Sequence, residues 1–516
     1  MGGAIAAVVI LGLCGGSRAD DLTFTRERSD EMAEATLNAT DLSEAEGNDL
    51  AWGMGYVLNG YMELYEATGD RDYLRKGVAL ADQMLAVRDD KLGREDFAGR
   101  SLPVWGVGAQ FTVASATLKD VDGRDAVLLR SIRYAYNDQT VVTVETGSEP
   151  GTWKLSHVNE QWKERATQSF DNLSLDPDSP RYIETVIAQV EYHPDIDFER
   201  DLEETPSFLL IALDLRPDAT DKTLAPVDDL RLAPQRVAYG GYIGPICAPM
   251  MRLAAVVMKD RALREEFGEA AKRYSDACEE SFAYWQDSWR NGPGKGEGYY
   301  LLVAKGDPFW CDGVGAPLNY LCAAGQALIH LYDATGKAKY RRKAARIARL
   351  LKSQLELSED DTYTWTYWWG AAETGWTKED DLSVYTPAYP GGKYIEDISH
   401  GAWDVEHALL MYEHGLVFTR EDMERFANTF TENIIMPGED RVADRVDGST
   451  YTEGTNNIAG GRWMELSEFD PAIFTTMRDI FEANGYHKGA YGHLAEVYAR
   501  LYKWQERLAG EDGGSQ

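Results

Sequence analysis

The chain has 516 residues, of which 44 % are hydrophobic and 11 % aromatic, so it can bury a large core and form more than one domain. Its formal net charge of −34 excludes a typical nucleic-acid partner or an anionic membrane surface. The acidity is spread along the chain and suits a solvated surface. Positive charge for an anionic ligand therefore has to be gathered locally.

Residues 1–19 have the pattern of an export signal. An apolar run from Ala4 to Cys14 precedes Ser17-Arg-Ala19, which is a small-residue cleavage pattern. The run is too short to span a bilayer, and no later segment is expected to do so. The sequence therefore predicts a periplasmic or secreted protein without a membrane partner.

Four cysteines remain after such a cleavage, and their spacing matches no zinc motif. Cys311 and Cys322 could pair, but buried free thiols are the favoured interpretation for a chain of this size. The other two are Cys247 and Cys278.

Helical hairpins dominate the region from residue 20 to 108 and recur later. The segment Leu64–Lys76 contains Leu-Tyr-Glu-Ala-Thr-Gly, and Leu331–Lys343 repeats it as Leu-Tyr-Asp-Ala-Thr-Gly. In each copy a glycine ends one apolar helix shortly before the next begins. Repeated hairpins of this kind predict a mainly α fold, an (α/α) barrel or toroid, whose inner helices line one cleft.

The pattern changes between residues 109 and 232, where short runs rich in β-branched residues are bounded by turn signals. Examples are Thr140–Glu145, Ile183–Tyr192 and Phe208–Asp214. We expect an inserted β-rich or α/β module here. Within it, the segment from Phe170 to Ile183 resembles a motif of phage tail-sheath proteins, which implies a small binding or assembly domain and no chemistry.

Residues 233–516 continue the toroid, and one of their helices carries unusual chemistry. Either Asp397 or Ser399 can cap its start. Beyond the cap, one helical face is predicted to hold His400, Trp403, Asp404 and His407. This face could form a catalytic wall, a metal site that uses His400, Asp404 and His407, or a buried network in which Asp404 orients a histidine.

Other candidate site residues lie at predicted helix ends and loops, where a toroid places its active site. Aromatic rings there suit stacking on sugar faces, although core packing is the competing interpretation for each ring. The candidates outside the helix are Tyr242, Trp310, Asn319, Arg445, Tyr451, Asn456 and Arg462.

The two hairpins, the Tyr363-Thr-Trp365 segment and Glu396-Asp-Ile-Ser-His-Gly401 together resemble the (α/α)-toroid polysaccharide lyases. Within that group they are most similar to alginate and glucuronan lyases with an (α/α)7 barrel. The resemblance covers the helical two-thirds of the chain. It implies a tyrosine that accepts and donates protons, a histidine partner, and an Asn or Arg that neutralises the uronate carboxylate. Asn456-Asn457 is followed by Ile458, so the Asn-Asn-His element of several alginate lyases is absent.

The chemistry of β-elimination fits these residue types. His400, oriented by Asp397 or Asp404, suits the base that removes the C5 proton of a uronate, and Tyr451 suits the acid. Arg445, Arg462 or Asn319 could neutralise the carboxylate. We therefore expect a lyase that acts on an acidic polysaccharide without a cofactor, with a divalent metal not excluded.

Three other functions stay open at this point. A glycoside hydrolase would use a pair of carboxylates among Glu396, Asp397, Asp404 and Glu406. A uronate C5-epimerase shares the proton abstraction but not the elimination. A carbohydrate-binding protein without activity would use the same surfaces, and the sequence does not indicate an oligomeric state.

Overall fold

The computed structural model describes residues 24–108, 112–131, 137–160, 167–188, 210–450, 457–486 and 494–513. The predicted export signal lies outside these ranges. The helices, in chain order, are α1 (Arg26–Asn38), α2 (Gly47–Asp49), α3 (Gly55–Thr68), α4 (Arg71–Ala86), α5 (Asp89–Leu92), α6 (Ile183–Ala188), α7 (Ile243–Lys259), α8 (Arg261–Tyr284), α9 (Leu318–Thr335), α10 (Ala338–Gln354), α11 (Ala371–Thr374), α12 (Ile398–Glu413), α13 (Arg420–Asn428), α14 (Asn457–Gly460), α15 (Ala472–Ala483) and α16 (Leu494–Gly513).

Six inner elements form a closed ring within the described ranges. In order around the ring they are α3, α7, α9, α12, the 3₁₀ segment Gly461–Glu468 and α16, which packs back against α3. The outer partners are α4, α8, α10, α13, α15 and, next to α16, the first helix α1. The fold is therefore an (α/α) toroid, as the sequence predicts, but with six hairpins where the resemblance implied seven.

The two repeated hairpins have the predicted geometry. Gly69 follows α3 with φ of 69°, and Gly336 follows α9 with φ of 71°. Each glycine N–H bonds the carbonyl of a tyrosine four residues earlier, Tyr65 or Tyr332. Because a left-handed residue closes a helix most easily when it is glycine, this position explains why both copies keep Ala-Thr-Gly.

All inner elements run in the same direction along the ring axis. Aromatic rings near their first turns meet at one end, where Trp52 contacts both Tyr320 and Trp403. Charged residues from their second halves meet at the other end, where Asp333 of α9 bonds His414 of α12's C-terminal cap. The amino-terminal end of the ring is therefore one surface built from several helix starts.

The segment Gly240–Lys259 is long and apolar enough to cross a membrane, which the sequence analysis did not expect of any later segment. In this fold 83 % of its apolar window is buried inside the protein. Its apolar length is thus accounted for by the inner position of α7, which is covered on one side by α8 and flanked by α3 and α9.

A network of buried charges lines the ring axis below the aromatic end. Arg500 of α16 lies 2.6 Å from both Glu406 of α12 and Glu496 of its own helix, and 3.5 Å from Glu63 of α3. Burial would raise the pKa of Glu63, but the adjacent cations Arg252, Lys503 and Arg500 lower it. The inner ring is therefore held together by ion pairs as well as by apolar contacts.

The described part of the β-rich insert has the strands β1 (Ala114–Lys119), β2 (Asp125–Ser131), β3 (Thr140–Thr146), β4 (Trp153–Asn159), β5 (Thr167–Leu173), β6 (Leu210–Asp214), β7 (Val227–Arg231) and β8 (Ala233–Pro234). They form two antiparallel sheets, with strand orders β6-β2-β1-β8 and β5-β4-β3-β7, around a hydrophobic core of their own. Two short hairpins lie in the toroid: β9 (Trp289–Asn291) with β10 (Gly298–Tyr300), and β11 (Glu356–Leu357) with β12 (Tyr363–Thr364).

One of the runs rich in β-branched residues, Ile183–Tyr192, begins as a helix. Residues 183–188 form the helix α6, which packs on β6, and residues 189–192 lie outside the described ranges. The boundaries at residues 108 and 232 stay predictions.

Candidate active site

Asp397 is the cap of α12, which settles the choice between it and Ser399. Its Oδ1 accepts hydrogen bonds from the backbone N–H groups of Ser399 (2.9 Å) and His400 (3.0 Å). Its other oxygen, Oδ2, lies 2.5 Å from Nδ1 of His400. One carboxylate therefore both starts the helix and fixes the orientation of the imidazole.

The electrostatics of this pair favour a charged carboxylate. Burial by itself would raise the pKa of Asp397, but the His400 ring and the hydrogen bonds from His400 and Ser399 lower it. A carboxylate on Nδ1 makes that nitrogen the donor. The proton-accepting position toward a ligand is therefore Nε2.

Aromatic rings stand around the His400 imidazole, which is 25 % exposed. Trp52 lies nearly perpendicular to it at 5.3 Å between ring centres, and Tyr367 lies at 5.4 Å. Trp403 forms the next ring inward at 6.4 Å. We call the partly exposed set His400, Asp397, Trp52 and Tyr367 the mouth. It combines a held imidazole with flat apolar faces, which suits a sugar ring.

Two further carboxyl groups, Glu396 and Asp404, lie buried behind the mouth. Glu396 accepts hydrogen bonds from the N–H of Asp397 (3.1 Å) and the side-chain amide of Asn319 (3.3 Å). Asp404 accepts one from the Trp365 indole (2.8 Å). Burial raises the pKa of Asp404 to about 7, and burial together with repulsion from Asp404 and Asp397 raises that of Glu396. Asn319 and Asp404 therefore support the mouth from behind.

Asp404→Asn is expected to change how stability depends on pH. A carboxyl whose folded pKa is raised binds more protons when folded, so it lowers stability as pH rises from about 4 to about 7. The variant should remove part of that fall, roughly 1 to 2 kcal/mol, since a tenfold change in proton affinity is worth about 1.4 kcal/mol. Calorimetric melting between pH 5 and 7.5 measures it.

Asp422→Asn is the control for that measurement. Hydrogen bonds from Lys352 and Thr419 outweigh burial and lower the pKa of Asp422, so it titrates below this window. Between pH 5 and 7.5, the stability of this variant should change with pH by as much as that of the unmodified protein. If stability depended on pH in the same way in Asp404→Asn and in the unmodified protein, Asp404 would not have a raised pKa.

Arg462 lies beneath the mouth and not in it. It is 2 % exposed, its Nη1 donates to the carbonyl of Ser399 (2.7 Å), and its guanidinium stacks on the rings of Tyr56 and Trp403. It therefore braces the first turn of α12. It is not placed to bind a uronate carboxylate directly.

The other predicted substrate-binding residues are divided between the mouth and the core. The backbone of Arg445 pairs with that of Asp397, so Arg445 lies beside the mouth. Tyr242 is buried, and its hydroxyl donates to Asn48 (3.1 Å). Trp310 is buried edge-to-face against Trp368. The structure therefore brings Arg445 close to His400 and places the rings of Tyr242 and Trp310 in the packing.

The proposed metal set His400, Asp404 and His407 is not brought together. His407 is fully buried, with Nε2 3.3 Å from the Ala344 carbonyl, and burial lowers its pKa to about 4. Among the described residues, the acidic or histidine group with ligand atoms within 4.8 Å of one another is Glu396, Asp397 and His400. Glu396 and Asp397 already accept hydrogen bonds from protein N–H groups, and Nδ1 of His400 donates to Asp397, so this arrangement does not require an ion.

Tyr451 and Asn456 lie outside the described residues, so their predicted roles are untested. Trp52 of the mouth was not among the predicted site residues, although the sequence contains a signal for it. It precedes α3, the helix of the first repeated hairpin, just as His400 opens α12. In a toroid the starts of all inner helices share one surface, so the residues before α3 were candidates too.

Comparisons with known proteins found no matching family model and no matching curated protein. Several solved chains show a weak likeness. A GH76 α-mannanase of Bacteroides thetaiotaomicron is 13 % identical, with a TM-score of 0.32, over 53 % of this chain and 69 % of that chain. A variant of UGL with dGlcA-Glc-Rha-Glc is 18 % identical, with a TM-score of 0.33, over 53 % and 74 %.

A family 76 glycoside hydrolase from a bovine Bacteroides thetaiotaomicron strain matches over more of this chain, 78 %, and over 89 % of its own length. Its identity is 10 % and its TM-score 0.35. Likenesses at this level establish neither activity nor substrate, and the toroid itself is evident from the ring of hairpins.

Proposed function

We propose that this protein is an exported enzyme that cleaves a uronate-containing polysaccharide by β-elimination. The observation that carries the proposal is the hydrogen-bonded pair of His400 and Asp397 at a partly exposed, aromatic-lined mouth. An imidazole oriented by a carboxylate is a base suited to neutral pH. The rings of Trp52 and Tyr367 next to His400 suit contact with the faces of a pyranose.

In the proposed step, Nε2 of His400 takes the proton from C5 of the uronate. The electron pair of that C–H bond forms the C4–C5 double bond, and the C4–O4 bond breaks. The departing O4 takes a proton from an acid, for which Tyr451 is the proposed donor. Tyr367, whose ring lies 5.4 Å from that of His400, is a second candidate.

The uronate carboxylate must be neutralised before C5 becomes acidic enough to lose its proton. We place this role with Arg445, whose backbone adjoins Asp397. The amino-terminal ends of the inner helices assist, because parallel helix starts present partial positive charge at the same surface. This arrangement would gather positive potential locally in a chain whose net charge is −34.

The carboxyl groups favour elimination over hydrolysis. A glycosidase needs two carboxyl groups that face the scissile bond from opposite sides. Among the described residues at this mouth, Asp397 is bonded to His400, while Glu396 and Asp404 are buried and bonded to protein donors. Hydrolysis remains the alternative outcome of the assay below.

A glycan panel is expected to detect the activity. Alginate, glucuronan and other uronate polymers are incubated with the protein, and ultraviolet absorbance reports new C4–C5 double bonds. At least one uronate should give unsaturated products. New reducing ends without absorbance would assign a hydrolase, and exchange of C5 hydrogen for solvent deuterium without cleavage would assign an epimerase. Binding without any product would assign a carbohydrate-binding protein.

A further inference from the structure

A groove of about 320 Å³ lies on the β-rich insert, away from the mouth. Its walls are the start of β4, the segment that follows β5 and the loop that follows β6. The segment after β5 belongs to the stretch that resembles a tail-sheath motif, for which the mouth offers no use. The residues that matter for recognition are Trp153, Ser174, Asp176, Pro177, Thr220 and Lys222.

The walls of the groove are held in place by side-chain hydrogen bonds. Asn172, with φ of 55°, accepts the N–H of Glu149 (2.9 Å) and the hydroxyl of Thr152 (3.2 Å). The neighbouring Asp171 accepts the N–H of Ser148 (3.0 Å). These bonds connect the β3–β4 turn to the end of β5. The groove is therefore preformed, and a ligand would not have to order its walls.

The floor of the groove contains a buried ion pair. The Lys222 side chain is 1 % exposed and pairs with Asp214, which also accepts the hydroxyl of Tyr182 (3.0 Å). An ammonium group carries three donors, and Asp214 takes one of them. The pair is therefore buried beneath the floor, and the charge of Lys222 is balanced there.

Trp153 gives the groove an apolar face, and the rim gives it polar ends. Trp153 is partly buried against the core of the insert, and Pro177 lies beside it. The hydroxyl of Thr220 and the carboxylate of Asp176 are both exposed at the rim. A flat ring flanked by a hydroxyl and a carboxylate group matches the two faces of a pyranose, one apolar and one rich in hydroxyls.

We infer that this groove binds a neutral sugar unit of a glycan chain, with the pyranose stacked on Trp153. The charge of the rim decides between neutral and anionic sugars. Asp176 is exposed there, Asp178 and Asp218 are exposed at nearby positions of the chain, and the cation of Lys222 is already paired. A uronate would meet the Asp176 carboxylate at the rim, whereas a neutral unit offers hydroxyls from which that carboxylate can accept. This site is independent of the chemistry at the mouth.

The test is affinity electrophoresis of the full chain in gels that contain one polysaccharide each. The panel contains neutral mannan, laminarin and xylan, with alginate as the polyuronate. His400→Ala serves as the background, so that turnover at the mouth does not remove the ligand. At least one neutral polymer should retard the protein, and Trp153→Ala should weaken that retardation at least about tenfold in apparent affinity. Trp153→Phe should restore much of it.

A second variant distinguishes loss of the sugar contact from loss of the fold, which Trp153→Ala could also cause. Thr220→Glu changes an exposed lining residue, puts a longer side chain into the space that the sugar would occupy, and should also weaken retardation. No retardation by any neutral polymer, or retardation that both Trp153→Ala and Thr220→Glu leave unchanged, would overturn the inference. The two proposals fail separately, because the gels report binding in the insert and the absorbance assay reports cleavage at the mouth.

Discussion

Replacing His400 by alanine is expected to lower the rate of glycan cleavage by about 10² to 10⁴-fold, the usual contribution of a positioned acid or base. The protein should stay folded, because the imidazole is 25 % exposed and its removal leaves the backbone hydrogen bonds of Asp397 intact. The rate is measured as unsaturated product formed on the best uronate of the panel. Imidazole added to the solution should restore part of it.

Asp397→Asn separates orientation from capping. An asparagine oxygen can still accept the N–H groups of Ser399 and His400, so α12 keeps its start. The charge opposite Nδ1 of His400 is lost, and cleavage should fall at least about tenfold because the imidazolium that forms is no longer stabilised.

His414→Gln is the matched control for both variants. His414 caps the other end of the same helix and bonds Asp333 at 3.0 Å, far from the mouth along α12. Its cleavage rate should equal that of the unmodified protein. The assignment of His400 as the base is wrong if His400→Ala keeps full activity. It is also wrong if added imidazole does not restore activity to His400→Ala and His414→Gln is impaired to the same extent.

The hairpins could be predicted from the sequence because local rules determine them. A left-handed glycine ends α3 and α9, and Thr419 caps α13 through reciprocal bonds with Asp422. Closure of the ring depends on contacts that no local pattern encodes. The last hairpin joins α16 to α1, and these helices lie at opposite ends of the chain. The number of hairpins therefore needed the structure.

Long-range packing also explains why the run that begins at residue 183 starts as a helix. Ile183, Thr185, Val186 and Ile187 have the composition of a strand. They form α6 because Ile183 and Ile187, one helical turn apart, are both fully buried on the face toward β6. The preference of these residues for a strand is therefore outweighed by the burial of Ile183 and Ile187 in the hydrophobic core of the insert.

The chemistry of α12 was predictable only at its first turn. Asp397 and His400 lie at the helix start, where local capping rules apply. Further along the helix, residues on the same face are buried against neighbouring helices. A Cβ atom added to Gly325 of α9 would lie only 2.3 Å from the ring of His407, so this ring packs directly against the glycine. Which part of a helical face lines a cleft depends on how its neighbours cover it, and the sequence of one helix does not contain that information.

Removing the cation of Arg500 is expected to destabilise the toroid strongly. Arg500→Met removes the cation that Glu63, Glu406 and Glu496 share. Glu63 keeps Arg252 and Lys503 as partners, whereas the buried Glu496 loses a cation that lies 2.6 Å away. Breaking a buried pair from one side typically costs about 3 to 5 kcal/mol. For a chain of this size the melting temperature should fall by roughly 5 °C, measured by calorimetry at pH 7.

The pH dependence of that loss tests its electrostatic origin. Burial already raises the pKa of Glu496, and without Arg500, the strongest influence that lowers it, this carboxylate should bind protons more readily still. A raised folded pKa lowers stability as pH rises, so the deficit of Arg500→Met should be smaller at pH 5 than at pH 7. Arg261→Met, which breaks an exposed pair with Glu265, should cost less than about 1 kcal/mol at either pH. A deficit equal to this control, or one that does not change with pH, would show that packing and not the charge network holds the inner ring together.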